Sequence, residues 1–164
     1  PMSAKARAYT ITGEVTADLG GAALAAMRQT AVTYLTPAFA GMGAPGLAKL
    51  AKAMPQWLER SASPSEDLHL AADLMERAGT GGALFRNLYR DFLTEAAGLL
   101  PARAESILRA RDGIATSATL WTTLAWLLDA GAVDGSDRHL REAASLCGPI
   151  AESEVRAMEI LAAL

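Results

Sequence analysis

The chain has 164 residues, is 51% hydrophobic with much of that alanine, is only 5% aromatic, and carries a net charge of −3. Alanine is the best helix former and lets helices pack closely, so this composition reads as one soluble, compact, all-α domain with a real core. The small charge and the lack of a basic stripe with interleaved aromatics argue against a nucleic-acid partner, and the lack of an apolar run of about 18 residues argues against a membrane span. Cys147 is the single cysteine, so no internal disulfide framework exists. With no signal-peptide pattern, a cytoplasmic protein is the expectation. Residues 1–60 are +3 and residues 61–164 are −6, which reads as a solvated, mildly basic face near the N-terminus. Pro1 in place of Met reads as a processed chain or a piece of something longer, with Met2 behind a tag remnant as the alternative.

Residues 1–16 read as an extended arm and 17–164 as the helical domain. Within the arm, Tyr9 and Ile11 alternate with Thr10 and Thr12, a strand pattern with no second strand to pair with. It is either a coil arm or an edge strand of a sheet in a partner domain. Asp18 can cap a first helix over 19–35, with Leu24, Met27, Ala31, Tyr34 and Leu35 inward and Pro37 as its stop. Residues 37–46 hold two Pro and three Gly and read as a loop, in which Phe39 and Met42 could cover a pocket. A second helix over 46–59 should be kinked or divided at Pro55. Ser63-Pro64-Ser65-Glu66 has the form of a capping box opening a third helix that reaches Ala78, with Leu68, Ala71, Ala72 and Met75 inward.

A glycine turn, Gly79-Thr80-Gly81-Gly82, then leads into an amphipathic helix over 82–99. Leu84, Phe85, Leu88, Tyr89, Phe92 and Leu93 make its apolar stripe. This helix is expected to be the most buried, with Tyr89 and Phe92 among its best-covered residues. At least one of Gly79, Gly81 and Gly82 should have positive φ. The plain reading is a tight turn between core helices. The functional reading is an anion or phosphate cradle at a helix start, in which Gly79, Thr80, Gly81, Gly82, Arg86, Tyr89 and Arg90 bind ligand, Arg86 and Arg90 sharing a face one turn apart.

A long helix should follow over 102–130, weakened at Gly113 and ended by Gly131. It is rich in hydroxyls (Thr116, Ser117, Thr119, Thr122, Thr123), which can bond back to carbonyls one turn earlier or line a channel. Asp134 or Ser136 caps the last helix, whose inward residues are Leu140, Ala144, Cys147, Ala151, Val155, Met158 and Leu161, with a bend or restart at Gly148-Pro149. His139 and Cys147 lie two turns apart, about 12 Å, too far for a nucleophile–base hydrogen bond. His69 reads as a core-boundary residue, and no zinc spacing or Glu-x-x-His motif occurs. The sequence therefore offers no catalytic residues, no metal site and no cofactor.

The run GTGGALFRNLYRDFLTEAA, with Gly46-Leu47-Ala48-Lys49-Leu50-Ala51-Lys52 and Trp57 upstream and the helix around Trp121 downstream, resembles the helical C-terminal domain of acyltransferases of the butirosin biosynthesis protein H type. The resemblance covers most of the chain. It implies an accessory, substrate-shaping domain of a carrier-protein-dependent acyltransferase of natural-product biosynthesis. Its partners would be an N-terminal peptidase-like domain or second chain, which carries the catalytic cysteine, and an acyl carrier protein. The alternative is a stand-alone, non-catalytic ligand-binding or oligomerising helical module. The expected fold is a bundle of six or seven helices with one short N-terminal strand or extended arm.

Overall fold

Asp18 opens the first helix as its sequence position suggests, its carboxylate accepting from the Gly21 amide at 3.0 Å. The computed structural model describes residues 10, 12–13, 18–78 and 81–164, so most of the N-terminal arm with its strand pattern, and Gly79 and Thr80, lie outside the described residues. Among the described residues, seven α-helices run in order: α1 (Leu19–Leu35), α2 (Gly43–Ala53), the single turn α3 (Trp57–Arg60), α4 (Pro64–Glu76), α5 (Ala83–Leu99), α6 (Ala104–Asp134) and α7 (Asp137–Ala162). Short 3₁₀ turns at Met54–Gln56 and Pro101–Arg103 join α2 to α3 and α5 to α6. The fold is all-α, with no strand among the described residues.

The architecture rests on α6 and α7, an antiparallel hairpin turned at Gly135, whose φ of 68° is the left-handed conformation that ends a helix. Helices α4 and α5 pack on α6, while α1 and α2 pack on α7. Two apolar clusters result. One gathers Leu47, Met54, Leu68, Trp121, Leu128, Leu140 and Cys147 from α2, α4 and the turn end of the hairpin. The other gathers Met27, Ala31, Leu93, Ile107, Ile114, Met158 and Leu161 from α1, α5 and the open end.

Several boundaries differ from expectation. The most buried helix is α6, not α5, on which Ala83, Leu93, Ala96 and Ala97 are the buried residues. Tyr89 and Phe92 stack on each other, centroids 5.7 Å apart, but are only partly covered, and Phe85 and Leu88 face outward. The Ser63 side chain does not cap α4. Instead Ser61 Oγ accepts from the Ser63 amide at 2.9 Å, and Pro64 takes the first turn. Helix α6 runs through Gly113 and Gly131 without a break, because both are contact points with α7: a Cβ would stand 3.2 Å from Ala157 Cβ at Gly113 and 2.7 Å from Leu140 at Gly131. Helix α7 is likewise continuous through Pro149. Pro149 is exposed, so the Ser145 carbonyl that loses its helical donor sits at the exposed face. Pro55 does divide the second helix, and the Asp134–Ser136 corner caps α7.

Candidate functional site

The glycine turn enters α5 at very close range to α4. A Cβ on Gly82 would lie 2.5 Å from both the Met75 carbonyl oxygen and Met75 Cβ, so only glycine fits there, and Gly81 has φ of 110°. This approach seats the first turn of α5 over α6 and aims Arg86 between the two apolar clusters. There Arg86 meets Glu154 of α7. Nε donates to Oε1 at 2.8 Å and Nη2 to Oε2 at 3.1 Å, while Nη1 donates to the Gly81 and Gly82 carbonyls. The guanidinium carbon lies 5.1 Å from the centroid of the Trp121 ring, a cation–π contact.

Glu154 is 1% exposed. Besides both Arg86 bonds it accepts from Tyr34 Oη at 2.7 Å, Ser117 Oγ at 2.5 Å and Trp121 Nε1 at 3.2 Å. A carboxylate has about four lone-pair sites, so five donors saturate it. Burial pushes its pKa up, but the hydrogen bonds and charge of Arg86, with the Ser117 and Tyr34 hydroxyls, outweigh burial and hold the carboxyl below the usual range. The Tyr34 phenol is pushed up, first by burial and then by the Glu154 charge. A carboxylate that is ionised and fully occupied is a poor general base, and Glu154 is here an anchor for four helices.

Beside this network a cavity of about 440 Å³ opens between α1 and α5. Its floor is Ile114, Met158 and the Arg86–Glu154 pair, and its walls are Thr30, Tyr34, Tyr89 and Phe92, with Phe85 and Leu88 also lining it. Among the described residues, the Tyr89 hydroxyl is buried without a hydrogen-bond partner. Burial pushes the Tyr89 pKa up to about 12, and the nearby Thr30 side chain pulls slightly the other way.

Of the residues read from sequence as a ligand cradle, the structure brings Arg86 and Tyr89 to one cavity. Arg90 does not join them: its guanidinium turns to Asp91 and Asn87 at the surface. Gly81 and Gly82 hold Arg86 through their carbonyls, and Gly79 and Thr80 lie outside the described residues. The charge that a phosphate would use at Arg86 is already neutralised by Glu154. Sequence reasoning missed Tyr34, Ser117 and Glu154 as a set. The available signal was spacing: Leu140, Cys147, Glu154 and Leu161 recur every seven residues, so an acid sits on a buried seam.

The hydroxyls of α6 divide as the chemistry of helices suggests. Thr116 and Thr119 donate to carbonyls one turn back, Thr123 does the same, and Ser117 alone turns inward to Glu154. Cys147 is buried in the cluster away from the cavity, its thiol pushed up by burial. His69 is exposed rather than at a core boundary and pairs with Asp129, while His139 pairs with Asp134.

No helix among the described residues is long and apolar enough to cross a membrane. Neither a curated protein nor a solved structure matches the chain. Residues 1–161 match the family model described as Domain of unknown function (DUF4872), and the chain belongs to that family.

Proposed function

We propose that this chain is the accessory, substrate-shaping helical domain of a carrier-protein-dependent acyltransferase of natural-product biosynthesis, of the butirosin biosynthesis protein H-like kind that its glycine turn and Phe85–Leu93 run resemble. The observation that carries the reading is the cavity formed by that same α5 run against α1, α6 and α7, with an apolar wall and a neutralised polar floor. Such a cavity holds a group and orients it. Acyl transfer through cysteine also needs a thiolate, a base and an oxyanion site. Cys147 supports none of these from inside an apolar cluster, so the nucleophile belongs to a peptidase-like partner domain, with an acyl carrier protein as donor.

The test is release of carrier thiol from an acyl-carrier thioester. Turnover is expected only when the peptidase-like domain is supplied, covalently or as a second chain. Turnover by the 164-residue chain alone, abolished by Cys147→Ala, would overturn the reading. The second reading, a stand-alone ligand-binding module, draws on the walls and floor that α1, α5, α6 and α7 already give the cavity. It predicts that the peptidase-like domain changes neither turnover nor ligand affinity.

A further inference from the structure

The cavity between α1 and α5 has a chemistry that the arginine on its floor disguises. Arg86 would ordinarily be taken as an anchor for a carboxylate or phosphate. Here two of its nitrogens are committed to Glu154 and the third to backbone carbonyls, and its face lies over Trp121. An anion entering the cavity would meet the buried Glu154 carboxylate, which has no partner to spare. A cation would meet Arg86, and both would lose hydration among Phe92, Ile114, Met158 and Tyr89 without compensation. Among the described residues on the wall, the buried polar group that lacks a partner is the Tyr89 hydroxyl, which can donate a hydrogen bond. The volume of about 440 Å³ lies within the range of small-molecule sites. Phe85 at 49% and Leu88 at 55% exposure are apolar side chains that a ligand at the mouth would cover.

We infer that this cavity binds an uncharged, mainly apolar small molecule or chain carrying one carbonyl-type acceptor for Tyr89, and that it rejects free carboxylates, phosphates and amines of the same carbon skeleton. The inference names the chemistry of the group held and rests on the proposed function only for its biological setting. Its measurement is made on this chain alone, so a failure of acyl transfer in the presence of the peptidase-like domain would count against that setting and not against the ligand chemistry.

The experiment is calorimetric titration of the full 164-residue chain at pH 7 with methyl octanoate, sodium octanoate, octylamine and ethylbenzene. The ester is expected to bind at least about tenfold tighter than either charged compound. Leu88→Glu, at an exposed position, is expected to weaken the ester at least about tenfold with an unchanged melt. Tyr89→Phe is expected to weaken the ester about fivefold while leaving ethylbenzene, which has no acceptor, unaffected. Octanoate binding as tightly as the ester would make this an anion site and overturn the inference. So would no ester binding by folded protein, ester affinity unchanged in Leu88→Glu, or equal loss of ester and ethylbenzene affinity in Tyr89→Phe.

Discussion

Glu154 and Arg86 form a pair whose members cannot be separated without leaving a charge stranded. Glu154 is almost fully buried, and Arg86 has a side chain 20% exposed. Arg86→Ala is expected to destabilise the fold by about 3–5 kcal/mol, the usual cost of leaving one buried charge uncompensated, read by chemical denaturation. Arg86→Lys should recover little of this, because an ammonium cannot donate to both carboxylate oxygens and two carbonyls from one plane. Acid is the second probe. With the native Glu154 pKa below its unfolded value, the unfolded chain binds the proton first as pH falls. The contribution of Glu154 is therefore fully present above the ordinary carboxylate value, about 4.3, and is lost as pH drops through the lower native value. Melts from pH 6 to pH 2 should fall more steeply for the parent than for Glu154→Gln.

At the scale of elements, the glycines separate into those that the packing needs and those that it does not. Gly82→Ala would force a Cβ against the Met75 backbone and is expected to cost about 1–3 kcal/mol. Gly98 lies within α5 with nothing within 4 Å of its would-be Cβ. Gly98→Ala is expected to stabilise by about 0.5–1 kcal/mol, so the two melts should move in opposite directions. The contrast also shows how far the sequence could be read. The α1 helix was legible from both ends, because Asp18 and Pro37 act locally. Gly131 and Pro149 carry local stop signals that the α6–α7 contact overrides, and that contact is invisible to local reading. The site was half legible: Arg86 and Tyr89 stand in a conspicuous run. Their partners Tyr34, Ser117 and Glu154 come from three other helices, and a helical count that drifts by one position puts Val155 inward in place of Glu154.

At the scale of the molecule, two apolar clusters share the same pair of long helices, with the polar network at the waist between them. Helix α6, at 31 residues about 46 Å long, contributes to both clusters. Neither half owns an uninterrupted set of helices, so the chain is expected to unfold in one transition. Near-ultraviolet dichroism of a Trp57→Phe, Trp126→Phe variant, which keeps Trp121 at the waist as its one tryptophan, and far-ultraviolet dichroism of the whole should give coincident denaturation curves. Separated midpoints would show that one half survives the other.

The α6–α7 seam brings the two helices closest at two glycines, with Gly113 against Ala157 and Gly131 against Leu140. Sliding one helix along the other by a single turn, about 5.4 Å, would carry both glycines away from the side chains they accommodate. It would also draw Ser117 and Trp121 of α6, and Arg86 of the α5 helix packed on α6, a full turn away from Glu154. The network at the waist thus works as an index mark, permitting one sliding position of the hairpin and penalising its neighbours, and the mouth between α1 and α5 keeps its shape because that position is held.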